Sequence, residues 1–320
     1  YFLRFCDPWT AEAPIDQDAA RRWMSVDQYI GGIEHAILHL LYARFYTRAL
    51  GDQGLSPADV REPFARLFTQ GMITMDGSKM SKSKGNLISP EKYFDTVGAD
   101  SLRLFHLFVG PPGDDFDWGA QTDQMIEGCH RFLGRVWRLA TGSVERVTIA
   151  DRPAEPADQD LEKETHRLID KVSSDCERWS YNTAVAACME FVNGVYRYIQ
   201  SPAGGRRATV DFAVDSLLLL LAPMAPHITA ELWEQRHPGS EPVHAQAWPV
   251  ADPAMVKVET VTMVVQVNGK VRDRLEVDVS ISEAEAEAAA LASPKVVDAL
   301  AGATPKKVIA RPPRLVNIVV

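Results

Sequence analysis

Several absences in this 320-residue chain narrow its chemistry. It has only four cysteines, Cys6, Cys129, Cys176 and Cys188, which lie far apart without a Cys-x-x-Cys spacing. Such usage is typical of reduced thiols in a cytoplasmic protein and does not indicate a zinc site. We therefore expect a cytoplasmic location and no protein-bound metal.

Long apolar segments and leader sequences are also missing. The longest apolar run, Leu217 to Ala222, is far shorter than the roughly 20 residues that span a bilayer. No signal peptide is visible, and no Gly-x-x-x-x-Gly-Lys-Ser/Thr motif supports a P-loop nucleotidase. The sequence thus predicts a protein without membrane partners.

The composition favours an ordered protein of two or three domains. Hydrophobic residues make up 46% of the chain, which is enough for substantial cores. The formal net charge of −9 argues against nonspecific binding of nucleic acid by the whole surface. A local basic track remains compatible with that charge, because the distribution of charges sets the field that a partner meets.

The segment Lys79-Met80-Ser81-Lys82-Ser83 combines two lysines with small residues. Turn residues flank it on both sides, so we predict an exposed loop. Two ammonium groups three residues apart can hold one polyphosphate and stabilise pyrophosphate as it leaves. Lys82 and Lys79 are the candidate catalytic residues, in that order. The alternative is a solvated Lys/Ser loop without a role.

The flanks of this loop predict a strand–loop–helix setting. Residues 70–75 are predicted to form one short buried strand. After the loop, Ser89 is predicted to be the N-cap of a helix whose first residue is Pro90. Farther along, Asp100 or Ser101 is expected to cap another helix.

A second constellation begins at Tyr29-Ile30, predicted as the end of a parallel strand. Gly31-Gly32 allows close approach of a ligand to the backbone, and the following helix runs to about Leu50. Doubly wound sheets bind nucleotides at such a point, where Glu34 could accept hydrogen bonds from ribose hydroxyls or an ammonium group. His35 and His39, four residues apart, are expected to share one helical face. Metal ligation and plain core packing are the alternatives for this pair.

Residues 122–248 are predicted to be helical. Arg131, Arg135 and Arg138 recur at helical spacing beside an apolar face and form a basic stripe. This stripe is either a solvated face or a phosphate contact. Three further helices are expected at about 158–179, 182–199 and 209–236, the last kinked at its prolines, with His227 as a non-catalytic helix-start residue.

The last part, residues 256–320, predicts a small α+β module. Asn268-Gly269 between two apolar-rich stretches predicts a hairpin, and Ser282 with Glu285 predicts a capping box. A second helix near 294–300 and two strands near 308 and 315–320 complete it. Lys270, Arg272 and Arg274 alternate with other residues, so the three cations are expected on one face, either solvated or gripping phosphates without reading bases.

Taken together, these motifs resemble the bacterial-type leucyl-tRNA synthetases, a family of class Ia enzymes. Lys79 to Ser83 is similar to the mobile phosphate-handling loop of class I synthetases, and Gly31 to Ala36 is similar to the motif that binds the adenosine side in leucyl enzymes. Tyr1 to Pro8 is similar to the segment just before this half-domain. Valyl and isoleucyl enzymes have an Asp-Gln-x-Arg-Gly-Trp type string instead. The resemblance covers the whole chain and corresponds to the C-terminal portion of such an enzyme.

The resemblance implies a reaction and a set of site residues. Leucine and ATP would give leucyl-adenylate and pyrophosphate, and leucine would then pass to tRNA(Leu). The implied ATP-binding residues are Gly31, Gly32, Glu34, Met72, Lys79, Ser81, Lys82 and Ser83. The implied leucine pocket is Tyr29, His35 and His39, and the implied tRNA contacts are Arg131, Arg135, Arg138, Lys270, Arg272 and Arg274. The expected substrates and partners are ATP with Mg²⁺, L-leucine and tRNA(Leu).

The predicted fold class is multidomain α/β plus all-α. Residues 1–88 are expected to be the second half of a Rossmann-like catalytic domain, and residues 89–120 a connecting stem segment. Residues 121–250 would form a helical anticodon-binding domain, and residues 256–320 an α+β module that contacts tRNA. The complete enzyme is expected to be monomeric.

Two departures from the family pattern bear on independent activity. The family's His-x-Gly-His motif is absent, and so is any stretch resembling an editing domain. We therefore expect the isolated chain to be inactive and to need a missing N-terminal half or subunit. The rival hypotheses are a non-enzymatic tRNA-binding protein with a vestigial half-site and another class Ia synthetase, valyl or isoleucyl.

Overall fold

A computed structural model describes residues 2–257 and 260–320, so the Tyr1 part of the opening motif lies outside the described residues. The chain divides into two compact units, Tyr1–Val250 and Ala251–Val320. Within the described ranges, no helix combines the length and apolar character needed to cross a membrane. The predicted divisions at residues 88 and 120 fall inside the first unit and stay predictions.

The first unit begins with an α/β segment built around two parallel strands. Its elements are α1 (Phe2–Cys6), α2 (Gln17–Trp23), β1 (Tyr29–Gly32), a 3₁₀ turn (Ile33–Ala36), α3 (His39–Asp52) and β2 (Leu67–Gln70). Tyr29 pairs with Leu67 and Gly32 with Gln70. A parallel pair requires a crossover connection, and α3 is that connection. The predicted strand–glycine–helix arrangement is therefore present.

A small three-stranded sheet follows, in the order β4-β3-β5. Its segment contains β3 (Ile73–Met75), β4 (Ser78–Lys79), a second 3₁₀ turn (Lys82–Lys84), α4 (Glu91–Phe94), α5 (Ala99–Phe108) and β5 (Phe116–Asp117). The predicted single buried strand over residues 70–75 is wrong. The chain forms two half-buried strands separated by Gly71 and Met72, because their N–H groups donate to the Pro112 carbonyl and the Asp115 carboxylate and not to a neighbouring strand. Position 71 requires glycine, since a Cβ there would lie 1.9 Å from the carbonyl oxygen of Asp114.

Two predicted helix caps in this segment are also wrong. Pro90, not Ser89, is the N-cap of α4, although the Ser89 hydroxyl still accepts a 3.4 Å hydrogen bond from the Glu91 N–H. Gly98 is the N-cap of α5, so Asp100 lies inside the helix and its carboxylate is used elsewhere.

The rest of the first unit is a helical bundle. Its elements are α6 (Thr122–Ala140), β6 (Ile149–Ala150), α7 (Pro156–Glu177), α8 (Tyr181–Ile199), β7 (Gly205–Arg206), α9 (Arg207–Leu221), α10 (Pro226–Arg236) and a 3₁₀ turn (Val243–Ala245). The predicted kinked helix over residues 209–236 is two helices, because Pro226 starts a new one. His227 is a helix-start residue, as predicted. The apolar faces of α6, α8 and α9 are buried and form the core.

The second unit is a four-stranded sheet in the order β10-β11-β8-β9, packed with two helices. It contains α11 (Pro253–Val256), β8 (Thr260–Val267), β9 (Lys270–Asp278), α12 (Glu283–Ala292), α13 (Pro294–Leu300), β10 (Lys307–Arg311) and β11 (Leu315–Val319). The predicted Asn268-Gly269 hairpin is confirmed. The capping box is also confirmed, since Ser282 and Glu285 hydrogen-bond reciprocally.

The expectation that Lys270, Arg272 and Arg274 share one face is wrong. Val265 pairs with Asp273 and Gln266 with Val271, so Arg272 is an extra residue in a β-bulge. Lys270 pairs with Val267 on the core side of the sheet, whereas Arg274 pairs with Val264 on the other side. The bulge therefore separates the three cations that simple alternation groups together.

Candidate functional site

Gly31 and Gly32 and the 3₁₀ turn that follows them form a segment that we name the glycine turn. This turn folds the Glu34 carboxylate back over Gly32. A Cβ at position 32 would lie 2.4 Å from Oε2 of Glu34, so any larger residue would displace that carboxylate. A Cβ at Gly31 would lie 3.4 Å from the ring of His35. The glycines therefore let Glu34 and His35 lie directly against the end of the strand.

The segment Lys79 to Ser83, which we name the lysine loop, follows a tight hairpin between β3 and β4. Asp76 and Gly77 form its turn with positive φ values of 50° and 68°. The carboxylate of Asp117 accepts hydrogen bonds from the Thr74 hydroxyl at 2.6 Å and the Gly77 N–H at 2.9 Å, which keeps its pKa low. Sequence reasoning missed Asp117, because it lies about forty residues from the turn that it holds.

A second brace, Asn86, crosses the loop itself. Its Oδ1 accepts a hydrogen bond from the Ser81 N–H at 2.9 Å, and its Nδ2 donates to the Lys79 carbonyl at 3.4 Å. The Ser81 and Ser83 hydroxyls lie 3.2 Å apart. Lys82 starts the exposed 3₁₀ turn. The sequence predicted Asn86 as a turn residue only, although its position after glycine and its amide side chain fit a brace.

Lys79 joins the two constellations. Its ammonium lies 3.6 Å from Oε1 of Glu34, with the side chains 63% and 40% exposed. The pKa of Glu34 is lowered, first by a hydrogen bond from its own backbone N–H and then by Lys79, despite partial burial. Such an exposed ion pair contributes little stability. Its significance is positional, because it places the loop opposite the glycine turn.

Two polar atoms in this place are buried and have no hydrogen-bond partner among the described residues. They are Oε2 of Glu34 and Nδ1 of His35. Buried polar atoms without partners are uncommon in native structures and cost free energy.

The three candidate leucine-pocket residues are close together but not on one helix face. His35 lies in the 3₁₀ turn and His39 starts α3, with their rings edge to face at 6.4 Å. The Tyr29 hydroxyl is hydrogen-bonded to Nδ1 of His39 at 2.8 Å, and the Tyr29 ring stacks on Phe64. A mainly apolar cavity of about 350 Å³ reaches His39 and Phe64 and lies among α1, α3 and the segments that follow α2 and α3.

Met72 lies at the break between β2 and β3. Its backbone N–H donates a 2.7 Å hydrogen bond to the carboxylate of Asp115, another residue that sequence reasoning missed. In the described part of the chain, no group of three or more His, Cys, Asp or Glu residues could hold a metal ion.

The basic stripe lines a groove between α6 and α8. Arg131, Arg135 and Arg138 all border it, together with Asn193. Arg135 donates to the Asn193 side chain at 2.6 Å and lies over the Tyr196 ring at 4.5 Å, whereas Arg131 is 70% exposed beside Glu127. The structure thus holds Arg135 through Asn193 and Tyr196 and leaves Arg131 exposed at the rim in an ion pair with Glu127.

Two family models match the chain. Residues 22–119 match the class I tRNA synthetases for isoleucine, leucine, methionine and valine, and residues 158–288 match the anticodon-binding domain of tRNA ligases. Among curated proteins, leucine–tRNA ligases from Geobacter sp. strain M21 and Citrifermentans bemidjiense are 47% and 46% identical over the whole chain. The chain spans 39% of the length of each relative.

Solved structures agree. A ternary complex of the Agrobacterium radiobacter K84 agnB2 LeuRS with tRNA and LeuAMS superposes with a TM-score of 0.75 at 33% identity, covering 100% of this chain and 41% of that one. A Mycobacterium tuberculosis methionyl-tRNA synthetase with methionyl-adenylate has a TM-score of 0.52 at 20% identity, covering 68% of this chain and 46% of that one, and shares the fold alone. Identity over the whole chain, two family models and a matching structure lead to one conclusion: the chain belongs to the leucine–tRNA ligase family of class I tRNA synthetases.

Proposed function

We propose that this chain contributes the lysine loop and the glycine turn to ATP-dependent activation of leucine, with the glycine turn on the adenosine side. We also propose that the chain binds tRNA(Leu) for the transfer step. The observation that carries the proposal is the 3.6 Å approach of the Lys79 ammonium to the Glu34 carboxylate. Two motifs that are far apart in sequence lie within ion-pair distance of each other, which supports one shared site.

The proposed chemistry is an in-line attack of the leucine carboxylate on the α-phosphorus of ATP, supplied as its Mg²⁺ complex. Glu34 would accept hydrogen bonds from the ribose or the amino group of leucine through its carboxylate, because its side chain is 40% exposed. Lys79 would exchange Glu34 for phosphate oxygens, and Lys82 would stabilise the departing pyrophosphate. Ser81, held by Asn86, and Ser83, hydrogen-bonded to the Ser81 hydroxyl, would keep the loop backbone in position.

The amino-acid side would lie near the histidines. Tyr29 fixes the ring of His39 by hydrogen bonding, and His39 borders the apolar cavity beside α3. An apolar wall suits the leucine side chain, since hydrophobic burial stabilises a bound aliphatic group. Gly31 and Gly32 would hold Glu34 and His35 against the end of the strand, beside the adenosine.

The tRNA would lie along the basic stripe. Arg135 is positioned by Asn193 and Tyr196 for a phosphate, and Arg131 and Arg138 flank it. We propose Arg274 and the bulged Arg272 as the module's phosphate contacts, with Lys270 on the other side of the strand pair as a lesser one. Such contacts recognise the backbone of a folded RNA and not its sequence.

We further propose that the working enzyme is a longer, cytoplasmic ligase and that its remaining part covers α3. Leu41 and Phe45 on this helix are 61% and 64% exposed, and Ile37 just before it is 75% exposed. Exposed apolar patches of this kind mark interaction surfaces.

A hybrid enzyme tests the proposal. This chain replaces the matching region of the Geobacter ligase, to which it is 47% identical, and leucine-dependent ATP–pyrophosphate exchange is measured. We expect exchange from the hybrid and none from the isolated chain. Lys82→Ala in the hybrid should lower the rate about 100-fold or more, since each preorganised charge at a reacting phosphate contributes that much.

The matched control is Lys84→Ala, which removes a lysine from the same 3₁₀ turn outside the five-residue motif. Its exchange rate should stay within about threefold of the hybrid. An equal loss in both variants would show a general charge effect of the loop. An unchanged rate in Lys82→Ala would remove Lys82 from the catalytic role.

A further inference from the structure

Helix α6 has a second hollow beside the basic stripe. This hollow, which we name the Trp137 hollow, has a volume of about 410 Å³ and lies where α6 meets the starts of α5 and α10. Trp137 is 37% exposed there, although it is the largest side chain of the apolar face of α6. A partly exposed indole ring on a packed helix is available to a ligand.

The hollow adjoins the groove that holds the arginines. His130 and Gly134 border both spaces. Glycine weakens a helix interior, and at position 134 the absence of a side chain lowers the wall between hollow and groove. A single ligand could therefore place one part in the hollow and another along Arg131, Arg135 and Arg138.

The polar groups of the hollow disfavour an anion and suit a planar polar ring. Asp100 is almost buried, and its carboxylate accepts hydrogen bonds from His227 at 2.8 Å and from the Ile228 N–H at 2.7 Å. Its negative charge would repel a phosphate. The His227 side chain is 74% exposed and held through Nδ1, so its ring and Nε2 face outward.

Charge complementarity thus separates the two neighbouring spaces. The groove offers cations to phosphate oxygens, and the hollow offers aromatic and imidazole surfaces beside a carboxylate. Bases that are not paired in RNA stack on aromatic side chains, whereas the adjoining phosphates bind arginine.

We propose that the Trp137 hollow binds one unstacked base of an RNA whose phosphates lie along Arg131, Arg135 and Arg138. Trp137 supplies the stacking surface, and His227 donates or accepts a hydrogen bond at the edge of the base. This inference rests on the proposed binding of tRNA and adds a base-binding site to the phosphate contacts.

The test measures binding of a tRNA(Leu) transcript to the full chain from about 50 to about 200 mM salt. Trp137→Leu keeps an apolar side chain on α6 and removes the ring. We expect binding about 5- to 100-fold weaker, because stacking contributes that much per base. The slope of log affinity against log salt should not change, because no phosphate contact is lost.

Two further variants complete the design. Trp137→Phe keeps a stacking surface and should retain most of the affinity that Trp137→Leu loses. Trp248→Leu is the matched control, since Trp248 is 39% exposed on the same unit and donates to Ser173 away from the hollow. It should bind as the unmodified chain does. Thermal unfolding of each variant confirms that all are folded.

Equal affinity for Trp137→Leu and Trp248→Leu would overturn the base-binding site and leave room for a protein partner at the hollow. A loss that Trp137→Phe does not restore, or a changed salt slope, would also overturn it. Failure of the unmodified chain to bind the transcript would instead reject the proposed tRNA contact, and the hollow with it.

Discussion

The α/β segment at the start of the chain and the helical bundle bury their apolar side chains to very different extents. In the bundle, Leu217, Leu218, Leu220 and Leu221 of α9 are at most 1% exposed. In the α/β segment, the apolar residues of α3 are largely exposed, with Leu41 at 61% and Phe45 at 64%. Helix α6 of the bundle is no more apolar in sequence than α3, yet its Ile126 and Val136 are at most 1% exposed. The difference therefore lies in what packs against the helices.

The difference teaches that a parallel strand pair cannot complete a core. Parallel sheets are covered by helices on both faces, and their strands are normally paired on both sides. Here β1 and β2 form a two-stranded sheet, whereas the bundle helices surround one another. Completeness of packing therefore follows from the number of neighbouring elements, and not from hydrophobicity.

The largest expected effect compares one leucine from each region. Leu217→Ala in α9 should lower the free energy of unfolding by about 3 to 4 kcal/mol, because it leaves a cavity in a closed core. Leu41→Ala in α3, where the side chain is 61% exposed, should change it by less than about 0.5 kcal/mol. Urea unfolding of both variants measures this. Equal losses would break the comparison.

An intermediate effect compares two carboxylates. Asp158 is fully buried in the bundle and bonds Arg152 at 2.8 Å as well as Tyr198, whereas Glu62 pairs with Arg44 and is 46% exposed. Asp158→Asn should cost about 2 kcal/mol, since it weakens charged hydrogen bonds away from water. Glu62→Gln should cost less than about 1 kcal/mol, because water screens an exposed pair.

The pH dependence of stability tests the buried carboxylate of this pair, Asp158. Burial acts to raise the pKa of Asp158, but hydrogen bonds from Arg152 and Tyr198 outweigh it and hold the pKa at about 2. Because this pKa lies below the unfolded value of about 4, the stabilisation is complete above pH 4 and disappears as the pH falls towards 2. Asp158→Asn should remove that part of the acid sensitivity. An unchanged acid transition would contradict the assignment.

The smallest expected effect compares single cations in tRNA binding. Arg131→Gln in the bundle and Arg274→Gln in the C-terminal module should each reduce the salt slope by about 0.7 to 0.9, as one lost phosphate contact does. Lys270→Gln should reduce it less, because Lys270 pairs on the core side of its sheet. Titrations of tRNA at several salt concentrations distinguish the three. If Lys270→Gln reduced the salt slope as much as Arg274→Gln, the bulge would not separate these cations in RNA binding.

Local signals in the sequence predicted local structure well. Asn268-Gly269 predicted a hairpin, Ser282 and Glu285 predicted a capping box, and the apolar period predicted α6. Each of these features depends on residues close together in sequence, whose turn or capping chemistry acts without help from the rest of the fold.

The errors arose where distant residues determine the outcome. Asp100 was predicted to cap its own helix, but its carboxylate receives the Ile228 N–H of α10, 128 residues away. The predicted strand is interrupted at Gly71 because its N–H donates to the carbonyl of Pro112, which is distant in sequence. The bulge at Arg272 redirects a strand that simple alternation describes as regular.

The sequence by itself determined the family resemblance, the lysine loop and the glycine turn, because short motifs keep their residue types and spacing. Only the tertiary structure brought Lys79 to Glu34, left Oε2 of Glu34 and Nδ1 of His35 without a partner in the described ranges, and opened a hollow at Trp137 beside the arginines. These features depend on which helices and strands meet. Such meetings result from packing of the whole chain, which no local spacing encodes.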